Sequence, residues 1–296
     1  MKFKEMKPVI IIKIIGGLGN QMFQYALGRN LSKKTDAILK LDITDFKGYK
    51  FHEYSLNHFN IKEDYATKDE IKYFKKYARK YGKIWYPYNL FIANEKRYIQ
   101  EKQYTFNPEI LKIKNSCYID GYWQSEKYFK DIEHVIRKEF VIKKPLGDYG
   151  QKIAGAIKSK KNPVCLHIRR GDFANSPEQA KHHGVSPLDY YYSAINTLTK
   201  TIPDAHFFVF SDSIDWVKDN LKLSYPITYV GQGSEKNYED ITLISYCKHH
   251  ILSNSTFGWW GAWLGQTKDQ IVIAPKKWFN KNMNLSDLMP EWWIKI

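Results

Sequence analysis

Two short stretches hold most of the residues able to do chemistry. "HIRRGDF" (167–173) gathers His167, Arg169, Arg170 and Asp172 behind an apolar run, and "SNSTFGWW" (253–260) sets four polar residues ahead of a Gly- and Trp-rich one. A planar guanidinium grips a phosphate or carboxylate through two parallel N–H donors, which suits the diphosphate leaving group of an activated substrate. On an extended strand His167 and Arg169 share one side and Arg170 takes the other, so one arginine can face a ligand while the second is tied elsewhere. An internal Arg–Asp pair is the competing use of the same residues. An adhesive Arg170-Gly171-Asp172 tripeptide is a weak reading, because a strand-end turn uses glycine for backbone reasons in any case. In the second stretch, Ser255 or Thr256 as a helix N-cap accounts for one hydroxyl. Four consecutive polar residues exceed what capping requires, and with Arg169 in the same crevice they read as a phosphate cradle without metal.

A third stretch, "GGLGNQ" (16–21), lies between a strand and a helix, where backbone N–H groups and the helix dipole favour anions. It is no dinucleotide fingerprint, since after Gly17 and Gly19 the third glycine falls at Met22, and no P-loop, lacking Gly-Lys-Ser/Thr. Asn20 and Gln21 either hydrogen-bond a bridging phosphate or cap the helix. "FSDS" (210–213) is a truncated Asp-x-Asp without its second carboxylate. No His/Cys/Asp/Glu cluster has metal-ligand spacing, so no metal is expected. His249-His250 reads as the start of a strand, and no Gly-x-Ser-x-Gly elbow is present.

The elements that must carry these residues follow from the apolar pattern. Residues 9–40 read as strand, glycine turn, helix and strand, with Phe23, Ala26, Leu27 and Leu31 at helical spacing. From about 51 to 145 the chain is Tyr- and Lys-rich with weak periodicity and reads as mixed helix and loop. Beyond it, strand-like runs at 163–168, 205–210, 226–230, 249–253 and 270–275 alternate with helical runs beginning near Pro187, Ser213, Tyr238 and Thr256. Such alternation predicts a doubly wound parallel sheet, which binds ligands at the carboxyl ends of its strands. The Arg, "SDS" and "SNST" motifs all fall at such ends.

Bulk composition sets the outer bounds. A chain of 296 residues fits two domains of ordinary size. A net charge of +15, from 46 Lys and Arg against 31 Asp and Glu, attracts anions. The charge is scattered and forms no basic tail, so it argues against a nucleic-acid partner. Cys117, Cys165 and Cys247 are odd in number and far apart, which excludes a disulfide framework and points to the reducing cytoplasm. "VIIIKII" (9–15), interrupted by Lys13, is too short to span a membrane and no cleavage site follows it.

"GGLGNQMFQYALG", "HIRRGDF", "FSDS" and "SNSTFGWWGAWL", in this order, resemble the α-1,2-fucosyltransferases of glycosyltransferase family 11, over about residues 10 to 275. The resemblance implies an α/β, GT-B-like fold, two Rossmann-like domains facing across a cleft: an acceptor-side domain at 1–150 and a GDP-sugar-binding domain at 151–296, with the extreme C-terminus packing back on the first. It implies inverting, metal-independent transfer of L-fucose from GDP-β-L-fucose to the 2-hydroxyl of a terminal β-galactoside, in surface glycan or O-antigen synthesis. No cofactor is implied; the donor GDP-fucose and a galactose-terminated glycan are the partners. Another GT-B glycosyltransferase, with a different GDP-sugar or acceptor, is the alternative. Carried over by position, Arg169 resembles the arginine that binds the β-phosphate, and Asn20 the asparagine that reaches the same diphosphate. Ser255, Thr256 and the Phe257 backbone resemble the second wall of that site. His167 and Asp240 are assigned to the nucleoside end, although Asp240 equally suits a helix N-terminus. The acceptor hydroxyl needs a base; Asp172, Glu178, His182 and His183 are candidates, with Asp172 placed first. Phe173 stands where many members have Tyr. Residence is expected in the cytoplasm, with peripheral contact at the inner membrane face if the acceptor is lipid-linked.

Overall fold

The apolar run Val9–Lys13 forms the first strand, β1, of a parallel sheet. In the computed structural model, which describes residues 7–48, 52–81, 98–171, 184–231, 236–265, 267–280 and 283–296, β1 pairs with β2 (Ile38–Asp42) and β4 (Cys117–Asp120). β3 (Tyr98–Gln100) lies beyond β4, giving the order β2-β1-β4-β3. Helix α1 (Leu18–Thr35) joins β1 to β2 and is buried along nearly its whole length. A helix buried on all sides must pair its polar side chains. Tyr25 and Arg29 accordingly converge on Glu139 at 2.7 and 2.9 Å, at the end of α3 (Glu133–Glu139). Asn30 donates to the Tyr128 carbonyl at 2.7 Å. Gly28 lets α1 lie close to the sheet, for a Cβ there would stand 2.8 Å from Leu39. α2 (Lys68–Tyr81) packs through Ile71 and Phe74 on Ile11 and Tyr118. The stretch read as helix and loop therefore also contains β3 and β4; strands of three and four residues are too short to show an alternation.

The second sheet has six strands, all parallel, in the order β10-β9-β8-β5-β6-β7. These are β5 (Pro163–Ile168), β6 (His206–Ser211), β7 (Ile227–Val230), β8 (His249–Ile251), β9 (Val272–Ala274) and β10 (Ile294–Lys295). Alternation along β5 sorts the two faces. Val164, Leu166 and Ile168 pack with Ala194 and Leu198 of α5 (Leu188–Thr199) and Val217 of α6 (Ile214–Asn220). Cys165 turns the other way, to Ile153 and Ile157 of α4 (Asp148–Lys158) and Leu243 and Ile244 of α7 (Asn237–Tyr246). α8 (Thr256–Leu264) lies against α7: a Cβ on Gly261 would collide with Ile244. The chain runs from β5 through α5 to β6 on one side and returns through α7 to β8 on the other. β5 is thus the strand where the winding reverses, with β6 and β8 as its neighbours.

Contacts divide the chain into Met1–Phe140 with Asn284–Met289, and Val141–Met283 with Pro290–Ile296. A boundary at 150/151 would cut α4, which begins at Asp148 and belongs whole to the second unit. In the first unit Asp287 accepts from the Phe106 N–H at 3.0 Å and meets Lys127 at 2.6 Å. The last residues instead form β10, on the edge of the second sheet. No helix among the described residues is long and apolar enough to cross a membrane, and the three cysteines are buried thiols.

Candidate active site

Three adjacent strands, β8, β5 and β6, deliver their carboxyl ends side by side, about 4.8 Å apart. His167, the fifth residue of β5, faces α8. Its Nδ1 lies 2.9 Å from the Ser253 hydroxyl, and its ring lies 5.8 Å from that of Phe257. Gly258 makes this approach feasible, since a Cβ there would sit 2.8 Å from Nδ1. At 5% exposure His167 is part of the packing beneath the first turn of α8. Burial, then the charge of Arg169, lowers its pKa to about 3, so the ring is neutral at ordinary pH.

Arg169 follows on the same side and is half-buried. Its Nη1 contacts Asp212 Oδ2 at 3.0 Å. The other oxygen of Asp212, which follows β6, accepts the Arg170 N–H at 2.9 Å. Arg170 takes the opposite side, as the alternation requires, and lays its guanidinium over Trp216 of α6 at 3.5 Å. A side chain on Gly171 would collide with Asp212, which gives the glycine of "RRGD" its reason. The internal Arg–Asp pair is thus formed by Arg169, while Arg170 stacks on the protein.

The polar run before α8 divides its work. Ser253 meets His167. Asn254, 3% exposed, donates to the Trp278 carbonyl at 2.9 Å and lies 3.3 Å from the Ser186 hydroxyl. Ser255 is the N-cap, its hydroxyl accepting from the Phe257 N–H at 3.3 Å. Thr256 and Phe257 open the helix, half-buried, with no acidic residue in the first turn. Most of this run thus holds the amino end of α8 in place, rather than supplying its three hydroxyls to a ligand. A guanidinium and a helix N-terminus on neighbouring strand ends favour an anion between them. Asp240 lies in the first turn of α7, half-buried, next to Glu239, whose carboxylate accepts from the Gly147 N–H at 3.3 Å. Asp172, Phe173, Glu178, His182 and His183 lie outside the described residues.

In the first unit the turn Gly16–Asn20 follows β1. Gly16 has φ +76° and sits under the Asn20 amide, since a Cβ there would be 2.8 Å from Nδ2. Asn20 Oδ1 accepts from Gln124 Nε2 at 2.8 Å. Gln21 is fully buried and serves the fold: it donates to the Gly16 and Glu53 carbonyls, both at 2.8 Å, and accepts from the Ser55 N–H at 2.9 Å. Those bonds bring His52 against Gly17, where a Cβ would meet its ring at 3.4 Å. Sequence reasoning missed Gln124 and the "GYWQ" loop (121–124) that carries it. Its signal was there, a four-residue run "CYID" with three apolar residues ahead of a glycine, but without period enough to mark a strand.

The sequence matches the model of Glycosyl transferase family 11 over residues 2–295. An α-1,2-colitosyltransferase of Escherichia coli is 32% identical over 301 residues, covering 97% of this chain and 99% of that protein. The Escherichia coli O-antigen biosynthesis glycosyltransferase WbnK is 35% identical over 300 residues, covering 95% and 98%. Among solved structures, a variant of Arabidopsis thaliana FUT1 in complex with GDP superposes with a TM-score of 0.53 at 12% identity, covering 92% of this chain and 71% of that one. At that identity the likeness speaks for the fold: α/β, GT-B-like, with two Rossmann-like units. A match from end to end, with two relatives above 30% identity over nearly their whole lengths, makes this chain a member of glycosyl transferase family 11.

Proposed function

We propose that this glycosyltransferase moves L-fucose from GDP-β-L-fucose to the 2-hydroxyl of a terminal β-galactoside, with inversion and without a metal ion, in building a surface glycan. The observation that carries the reading is Arg169, braced by Asp212 at 3.0 Å and two residues beyond His167, which packs under the capped first turn of α8. Cleavage of the sugar–phosphate bond leaves negative charge on the β-phosphate, and preorganised donors at that charge lower the barrier. Arg169 and the amino end of α8, walled by Ser255, Thr256 and the Phe257 backbone, supply that stabilisation, with Asn20 as a further contact to the diphosphate. Asp240 is assigned to the guanine, and Asp172 to the proton of the acceptor hydroxyl. Three buried thiols fit a reducing cytoplasm.

A second reading is favoured by the relative at 32% identity, named for α-1,2-colitosyl transfer. Colitose is fucose without its 3-hydroxyl, so the same diphosphate site serves either sugar. The test offers GDP-fucose and GDP-colitose separately with β-galactoside acceptors, follows GDP release and reads the product linkage by NMR. An α-1,2-fucoside supports the first reading. Turnover confined to GDP-colitose supports the second, and GDP failing to bind at all would sink both.

A further inference from the structure

The carboxyl ends of β3, β4 and β1 are joined by a row of polar contacts that begins at Glu101. Glu101 follows β3 and extends its ladder, donating its N–H to the Asp120 carbonyl at 2.8 Å. Its side chain then reaches the loop after β4. Oε2 accepts the Tyr122 N–H at 2.7 Å, and Oε1 accepts the Trp123 N–H at 3.0 Å. That loop is unusual in its backbone: Gly121 has φ +151° and Trp123 φ +55°. A bulky residue holds the left-handed region only where its surroundings fix it. A Cβ on Gly121 would collide with Glu101, so the glycine is what lets the carboxylate come this close. Gln24, fully buried in α1, ties the loop from the other side: it donates to the Gly121 carbonyl at 3.1 Å and accepts the Ile15 N–H at 2.9 Å. The loop ends at Gln124, 7% exposed, which donates to Asn20 Oδ1 at 2.8 Å. With its oxygen so engaged, Asn20 sets Nδ2 against Gly16.

We propose that Glu101 is a positioning residue for Asn20, its carboxylate holding the Gly121–Gln124 loop so that Gln124 sets the Asn20 amide as a donor to the diphosphate. The influence crosses two strand spacings, about 10 Å. A carboxylate suits the task because two successive N–H groups need two acceptor oxygens, whereas a carboxamide offers one. Burial pushes the Glu101 carboxyl up to about 6 against the pull of those two bonds. The proposal rests on the reading of Asn20 as a donor contact.

The test is a double-mutant cycle in the full chain, read by GDP titration and by steady-state kinetics in donor and acceptor. Asn20→Ala and Glu101→Ala should each raise the GDP Kd and the donor KM about tenfold, leaving the acceptor KM unchanged, which corresponds to about 1.4 kcal/mol. The double variant should be no worse than Asn20→Ala alone, and Glu101→Gln should recover part of the loss. Multiplying fold-changes in the double variant, or wild-type GDP affinity in Glu101→Ala, would overturn the proposal while leaving Asn20 a donor contact. Wild-type affinity in Asn20→Ala itself would overturn the donor-site reading and the proposal with it. Should Glu101→Ala fail to fold by circular dichroism, Glu101→Gln takes its place in the cycle, with the same outcomes deciding.

Discussion

Asp212 braces Arg169 through a 3.0 Å contact and, with its other oxygen, accepts the Arg170 N–H at 2.9 Å. One carboxylate after β6 thereby fixes both the guanidinium and the backbone that carries it after β5. If Arg169 stabilises charge on the leaving phosphate, Arg169→Ala should lower kcat by about 10²–10³-fold with the melting temperature little changed. Asp212→Asn keeps one hydrogen bond but removes the charge, and should cost about tenfold, mainly in donor KM. Steady-state kinetics with varied donor separates the two effects, and an Arg169→Ala enzyme at wild-type kcat/KM would refute the assignment.

The same pair bears on metal dependence. Asp212, the carboxylate of "FSDS", already serves Arg169 and the Arg170 amide, so it is poorly placed to hold a divalent cation as well. Transfer in excess EDTA should stay within about twofold of the untreated rate, the shift of a fraction of a kcal/mol. Loss of activity restored by Mn²⁺ would assign Asp212 a different partner during turnover.

Acid should unfold the second unit. Burial, chiefly, lowers His167 to about 3 and His249 and His250 each to about 4. Below about 6.5 the unfolded chain takes up protons at these rings that the native state refuses. Their contribution is therefore complete above about 6.5 and lost progressively as pH falls toward 4, each ring costing up to about 1.4 kcal/mol per pH unit. Urea midpoints at pH 7.5, 6.5 and 5.5 check this, and a flat midpoint would mean that the rings are protonated when folded.

Three glycines separate close packing from open space. Gly261→Ala would collide with Ile244 and Gly258→Ala would press on His167, so each should destabilise by about 1–3 kcal/mol. Gly155, inside α4, has nothing near its missing Cβ, and Gly155→Ala should stabilise by about 0.5–1 kcal/mol. Denaturant melts of the three variants rank them directly.

The second sheet was legible because its strands carry their own signal. Runs such as "PVCLHI" and "AHFFVF" are buried on both faces and read as continuous apolar segments. Arg169 and Ser255 could be placed at the ends of strands because polar residues collect where such runs stop. Less visible was the division of labour at those ends. Nothing in "SNST" says that Ser253 meets His167 or that Asn254 serves the Trp278 carbonyl, because those partners lie far away in the chain. β3, β4 and β10 escaped for a different reason: strands of two to four residues take their stability from the neighbour they pair with and not from their own pattern. Glu101 and Gln124 escaped with them.

The course of the last residues limits how this enzyme can be cut and recombined. Because Asn284–Met289 belongs with the first unit while Pro290–Ile296 returns to the second, neither unit is one uninterrupted stretch of sequence. A chimera that exchanges residues 1–140 with those of a relative would leave the incoming part facing a foreign Asp287, the residue that accepts the Phe106 N–H and meets Lys127. Swaps of the first unit should therefore carry the hexapeptide along with residues 1–140.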